Sequence, residues 1–134
     1  MIASSIGGMK ASLDAAVAYG KERMAFGKPI ASQQPIQHKL AGMKSQLDAA
    51  RLLLYRAAWL KEEGCRTRPR PASRSCSSRA AMSNAVETTQ IFGGYGYIKE
   101  YPIERSIRGA KLISIGGGTS EIQKMIIARG LLDD

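Results

Sequence analysis

The chain has 134 residues, of which 44% are hydrophobic and 23% charged, and its net charge is +9. This length fits one domain, and no apolar run approaches the roughly 18 residues that a membrane span needs. We therefore expect residues 1–134 to form a single domain with no membrane span. The start of the chain lacks the basic residues of a secretory signal peptide, which favours the cytoplasm, or the mitochondrial matrix in a eukaryote.

The two cysteines, Cys65 and Cys76, match neither a zinc pattern nor a disulfide scaffold, so we expect no metal site. The positive charge is concentrated in residues 65–82, which contain five arginines and no acidic residue. Such a segment could be a nucleic-acid arm. It has no interleaved aromatic residues and no recognisable binding fold, so we expect no nucleic-acid partner.

Apolar residues with helical spacing predict a first helix from Ile2 to about Met24. The pair Gly7-Gly8 inside it costs about 1 kcal/mol per residue relative to alanine, which suggests close packing against another element. Glycine and proline in residues 26–30 then predict a loop. A second, long helix starts near Pro35 and carries an apolar stripe as far as Ala57.

Residues 64–80 contain no large apolar residue, and we predict a solvated or disordered loop there. A surface linker, a phosphorylation target and a nucleic-acid arm are the conventional interpretations. A fourth is translation out of frame, because Arg, Pro, Ser, Ala and Cys are what a GC-rich gene yields when it is misread. Helical spacing resumes at about Arg79.

That third helix is predicted to end at Gly93-Gly94. A short helix begins around Pro102, and a last one runs from Ser120 to Arg129 and stops at Gly130. No run shows strand alternation, so the predicted fold class is all-α.

A glycine-rich stretch, residues 115–123, leads directly into the last helix. Thr119 and Ser120 are both good candidates for its N-cap. The exposed N–H groups and the helix dipole at such an end favour phosphate, carboxylate or a polarised carbonyl oxygen. A plain helix start after a flexible turn is the alternative.

Three segments, residues 22–30, 90–97 and 118–123, together resemble the acyl-CoA dehydrogenase family in order and spacing. The resemblance covers only the family's C-terminal helical domain and implies a bundle of four to five helices. It also implies FAD as cofactor, an acyl-CoA substrate, an electron-transfer flavoprotein as electron acceptor, and a homo-oligomer, either a dimer or a tetramer. The implied reaction is α,β-dehydrogenation of the acyl-CoA thioester to a 2-enoyl-CoA.

Residue by residue, the resemblance places Arg23 and Phe26 near the FAD pyrophosphate of a neighbouring subunit, with Gln34 nearby, and residues 90–94 near the adenosine half from a further subunit. Gly117 and Gly118 would face the substrate, and the backbone N–H of Gly117 would bind the thioester oxygen. The implied cofactor contacts are Arg23, Phe26, Gln34, Gln90, Ile91, Phe92, Gly93, Gly94, Thr119, Ser120 and Glu121.

The chain departs from the family at Gly117, where many members carry the catalytic glutamate, so we expect no catalytic residue here. Long-chain and isovaleryl-type members place the base near the start of the first helix of this domain. That position would fall before Met1, so the chain is expected to begin too late to contain it. A second departure is Gly109, where the family usually has aspartate. We therefore expect the isolated chain to be inactive, and a non-catalytic helical oligomerisation module is the alternative.

Overall fold

The computed structural model describes residues 2–64, 70–116 and 118–132. These residues form five α-helices, two short 3₁₀ helices at Ile30–Ser32 and Gly93–Gly96, and one small hairpin of two antiparallel strands. In the hairpin, Met24 pairs with Pro29 and Ala25 with Lys28. The all-α class and the predicted number of helices are thus confirmed. The elements are α1 Ile2–Glu22, β1 Met24–Ala25, β2 Lys28–Pro29, α2 Gln34–Glu62, α3 Arg70–Phe92, α4 Ile103–Ile115 and α5 Ser120–Leu132.

Helix α3 occupies the centre of the bundle and packs against each of the other four helices. Small alanines on α3 allow the larger apolar side chains of α1 and α2 to approach closely. Ser12 of α1 lies opposite Thr88, and Tyr19 lies opposite Phe92, so α1 and α3 run in the same direction and their C-terminal ends lie together. The buried core includes Met9, Leu13, Ala16, Met43, Leu47, Ala50, Ala81, Ala85, Ile91 and Ala110.

Most predicted helix boundaries are confirmed. Helix α2 has Pro35 as its second residue, and α3 ends directly before Gly93, whose φ is +60°. The predicted stop at Gly130 is wrong, because α5 continues to Leu132. An exposed glycine inside a helix costs only about 1 kcal/mol, which is not enough by itself to end it.

The glycine pair in α1 does not mark a close contact. Gly7 and Gly8 are both exposed, and a methyl group on either would meet nothing within 4 Å. The predicted close packing at this pair is therefore wrong.

The loop predicted over residues 64–80 is wrong for residues 70–80, which form the first half of α3. Residues 65–69 lie outside the described part of the chain. Lack of large apolar side chains does not prevent a helix here, because small serines and alanines at helical spacing pack against the neighbouring helices. Ser73 and Ser77 are each only 1% exposed.

The packing of α3 buries two serine hydroxyl groups. The Oγ atoms of Ser73 and Ser77 are buried and have no hydrogen-bond partner in the described residues. An unsatisfied buried polar group costs about 1–3 kcal/mol. The double variant Ser73→Ala, Ser77→Ala should therefore raise the free energy of unfolding by about 1–3 kcal/mol for each hydroxyl removed, measured by urea denaturation.

Ser75→Ala is the matched control, because Ser75 lies in the same helix, is half-buried and is not among the orphaned hydroxyls. It reports the change in helix propensity alone. A double variant no more stable than this control would show that the two hydroxyls are satisfied in solution.

Candidate functional site

Arg23 lies directly before the hairpin, between the end of α1 and β1. Its backbone N–H and its carbonyl oxygen both form hydrogen bonds. Its N–H donates to the carbonyl oxygen of Tyr19 at 2.8 Å, and its own carbonyl accepts from the N–H of Ile30 at 2.9 Å. The side chain is exposed, and among the described residues it forms no ion pair. Arg23 therefore presents an unneutralised guanidinium from a fixed backbone.

The segment predicted as a loop over residues 26–30 is instead a tight hairpin that carries an aromatic ring at its tip. Phe26 has a φ of +53° and is followed by Gly27 at +76°, the pattern of a type I′ turn. A positive φ is unusual for a bulky residue and concentrates at functional sites. The Phe26 side chain is 92% exposed, so the strained turn displays it to solvent.

The turn after α3 is formed by a 3₁₀ segment, Gly93–Gly96, that folds back on the helix. A methyl group on Gly96 would lie 2.8 Å from the carbonyl oxygen of Thr89, so this position requires glycine. Phe92 stacks on Tyr19 with ring centroids 4.1 Å apart. The turn is thereby fixed against the end of α1.

These two segments border an open cavity of about 430 Å³, a size in the range of small-molecule sites. Most of the lining is apolar side chain or glycine backbone, and Arg23 is its single charged residue. Such a surface suits a planar aromatic group with an attached anion. The lining residues are Tyr19, Arg23, Ile30, Ile91, Phe92, Gly93, Gly94, Tyr95 and Ile98.

The structure thus brings Arg23 together with residues 91–94, which were assigned from sequence to two different subunits. One chain presents both segments to the same cavity. Phe26, Gln34 and Gln90 do not line it. Phe26 is at the hairpin tip, Gln34 is the exposed first residue of α2, and Gln90 is exposed on α3.

Sequence analysis did not assign Tyr19, Ile30, Tyr95 or Ile98, which also line the cavity. Tyr19 precedes Arg23 by one helical turn, and that spacing is the signal that could have identified it. Tyr95 lies among the glycines of residues 93–96, and connecting segments of this kind often carry binding residues.

The start of α5 is a second region, separate from this cavity. The Oγ1 of Thr119 accepts from the N–H of Ile122 at 3.4 Å, and its carbonyl accepts from the N–H of Gln123 at 3.1 Å. Thr119 is therefore the N-cap, and Ser120 is the first helical residue. Gly118 has a φ of +103°, and Gln123 fills the space beside it. Gly117 lies outside the described residues.

Hydrogen bonds at this helix end also affect Glu121. Its own backbone N–H and then the Thr119 hydroxyl lower the pKa of the Glu121 carboxyl. The anion is favoured in the folded state, so its stabilising contribution is present above the ordinary pKa and is lost as the pH falls through the lowered pKa. The carboxylate is fully exposed, which keeps this effect small.

Substitution of Gly96 tests how closely the turn approaches the backbone of α3. Gly96→Ala should lower the free energy of unfolding by about 1–3 kcal/mol, because the new methyl group would overlap the Thr89 backbone. Urea denaturation measures the loss. Gly109→Ala in α4 is the opposite control: its methyl group meets nothing within 4 Å, so this variant should be about 0.5–1 kcal/mol more stable. Equal stability of the Gly96→Ala variant and the wild type would contradict the tight approach.

Comparison with known proteins identifies the family of this chain. The family model "Acyl-CoA dehydrogenase, C-terminal domain" matches residues 1–132. The chain belongs to the acyl-CoA dehydrogenase family and corresponds to its C-terminal domain.

Individual relatives agree with this assignment. The chain is 47% identical over 131 residues to a probable acyl-CoA dehydrogenase of Bacillus subtilis, covering 97% of this chain and 34% of the relative. It is 45% identical to the short-chain specific acyl-CoA dehydrogenase of Megasphaera elsdenii, with the same coverage. The chain thus spans about a third of the length of the curated relatives that it matches.

Solved structures show the same fold. Butyryl-CoA dehydrogenase from Megasphaera elsdenii superposes with a TM-score of 0.95 and 44% identity over 98% of this chain and 34% of that one. An FAD complex of PigA superposes with a TM-score of 0.92 and 32% identity, covering 97% of this chain and 34% of PigA. In the part of the chain that the structure describes, no helix is both long and apolar enough to cross a membrane.

Proposed function

We propose that this chain is the C-terminal part of an FAD-dependent acyl-CoA dehydrogenase, which converts an acyl-CoA thioester to a 2-enoyl-CoA. The observation that carries the proposal is the convergence of Arg23 and residues 91–94 on one cavity. These residues are distant in sequence, and the family resemblance had assigned all of them to the cofactor. Their meeting in one place supports a shared ligand.

We infer that this cavity would accept the adenosine diphosphate half of FAD. Ile30 and Ile98 are partly exposed and offer an apolar surface for an adenine ring. Gly93 and Gly94 permit close approach of the backbone, and the Arg23 guanidinium can pair with phosphate oxygens in a bidentate manner. When bound, the flavin accepts the β-hydrogen of the substrate as hydride.

The start of α5 would serve the same cofactor from another copy of the chain. Thr119, Ser120 and Glu121 do not line the Arg23 cavity, yet the family resemblance assigns them to FAD. In a dimer or tetramer, one subunit would supply Arg23 and residues 91–94, and a second would supply the α5 start. Phe26, Gln34 and Gln90 would complete the contacts outside the cavity.

Gly117 and Gly118 would face the acyl-CoA, with the Gly117 N–H donating to the thioester carbonyl oxygen. Glycine at residue 117 has no side chain to accept the α-proton. We therefore propose that the catalytic base is a carboxylate other than residue 117 and that the isolated chain is inactive.

Electrons would pass to an electron-transfer flavoprotein. A structure titled as the electron transferring flavoprotein of Acidaminococcus fermentans includes a chain that superposes on this one with a TM-score of 0.94. The proposed location is the cytoplasm, or the mitochondrial matrix in a eukaryote, since a related short-chain enzyme of Bos taurus is named as mitochondrial.

The test is a chimera that joins the remaining two thirds of the Megasphaera elsdenii short-chain relative to this chain. The purified chimera should carry flavin absorbance, whereas the isolated chain should neither carry flavin nor reduce a dye with acyl-CoA. Flavin-free chimera that is folded by circular dichroism would refute the proposed cofactor role. Dye reduction by the isolated chain would refute its inactivity.

A second candidate function is a non-catalytic oligomerisation module. Leu52, Tyr55 and Trp59 are large apolar residues exposed on α2, and their spacing places them along one side of the helix. Light scattering that finds a discrete oligomer, together with a chimera lacking flavin, would favour this function over the enzyme.

A further inference from the structure

We propose that Tyr95 is a positioning residue that holds the Arg23 guanidinium in place for a phosphate group at the cavity. This inference rests on the proposed function, since it concerns the same site. It assigns a role to a side chain that sequence analysis left without one.

The contact is between the guanidinium and the ring. The Cζ of Arg23 lies 5.9 Å from the centroid of the Tyr95 ring, within the range of a cation–π interaction. Arg23 is exposed and forms no ion pair among the described residues. An exposed arginine otherwise has many rotamers available, and ordering them opposes ligand binding. The Tyr95 ring reduces that cost.

Tyr95 can act in this way because its own ring is supported. It lies 5.5 Å from the ring of Tyr101, and Tyr101 lies 5.8 Å from Phe92. Phe92 in turn stacks on Tyr19 of α1. The series of rings therefore links Tyr95 to the helix that ends directly before Arg23.

Tyr97 provides the matched comparison. It lies two residues further along the chain and is 81% exposed. Among the described residues, it is part of neither the ring series nor the cavity lining. We therefore expect substitution of Tyr95, but not of Tyr97, to affect Arg23.

The first measurement needs no ligand. In ¹⁵N-labelled full chain, the Nε–H resonance of Arg23 should shift in Tyr95→Leu, because the ring above the guanidinium is removed. It should be retained in Tyr95→Phe and Tyr97→Leu. An unchanged Arg23 resonance in Tyr95→Leu would overturn the contact.

The second measurement is ADP affinity, with ADP as the probe for the phosphate-bearing half of the cofactor. Tyr95→Leu should weaken ADP binding roughly two- to fivefold, and Tyr95→Phe should restore it. In an Arg23→Gln background, Tyr95→Leu should have no further effect, since the two residues act together. An equal loss in both backgrounds would show that Tyr95 contacts ADP directly or merely maintains the fold, and would overturn its positioning role.

The two measurements distinguish this inference from the proposed function. A wild-type chain that does not bind ADP would refute the cavity as the phosphate site and, with it, the positioning role for phosphate. The Arg23 resonance in Tyr95→Leu would still decide whether the ring holds the guanidinium.

Discussion

Arg23→Gln should reduce the affinity of the chain for ADP by roughly tenfold to a hundredfold, because a charge-assisted hydrogen bond contributes about 1.5–3 kcal/mol. Arg23 is the single charged residue of the cavity lining, so no other side chain there can replace it. The remaining lining is apolar or glycine and would still accept an adenine ring. The loss should therefore be large for ADP and small for adenosine, and isothermal titration calorimetry measures both.

Arg56→Gln is the control for net charge. Arg56 is exposed on α2 and does not line the cavity, so its loss removes the same charge without touching the site. Both variants should unfold at the wild-type urea concentration, since exposed arginines contribute little to stability. Equal weakening by the two variants would indicate non-specific attraction by the basic chain.

Leu47→Ala should lower the free energy of unfolding by about 2–5 kcal/mol, the cost of a large cavity in a well-packed core. Leu47 is 1% exposed and belongs to the core cluster that joins α2 to α1 and α3. Urea denaturation should show a large fall in the transition midpoint with little change in slope.

Leu52→Ala is the matched control, because Leu52 is on the same helix but is 67% exposed. Its substitution should change stability by no more than about 0.5 kcal/mol. Similar losses at residues 47 and 52 would mean that the exposed side of α2 is covered in solution, as the oligomerisation hypothesis requires.

The helices that sequence predicted best are those whose apolar periodicity was strong. The regular stripe of α2 and the glycines after Phe92 were sufficient to locate both elements, since periodicity and helix-ending residues act locally. The first half of α3 could not be predicted in this way. Packing against neighbouring helices specifies it, and this tertiary packing overrides the weak signal of its serines and arginines.

In the candidate site too, several of the residues could be predicted from the sequence but their arrangement could not. Arg23 and residues 91–94 were assigned from the family resemblance, but their meeting in one cavity depends on the parallel course of α1 and α3. No local pattern encodes that arrangement. Tyr95 was missed for the same reason, because its relation to Arg23 exists only after the turn at Gly93–Gly96 has folded back on α3.

Gly117 lies outside the described residues, so its role stays a prediction from the sequence. Its proposed role as an N–H donor depends on the family resemblance and on the capped helix that begins at Ser120. The structure adds that Thr119 performs the capping.

The most direct test of the central claim is an ADP titration of the ¹⁵N-labelled full chain, followed by the backbone amide resonances. We expect the amides of Gly93, Gly94 and Arg23 to shift together with one dissociation constant, and the exposed end of α2 near Trp59 not to shift. Shifts spread over the arginines of residues 70–79, or none at Gly93 and Gly94, would contradict it.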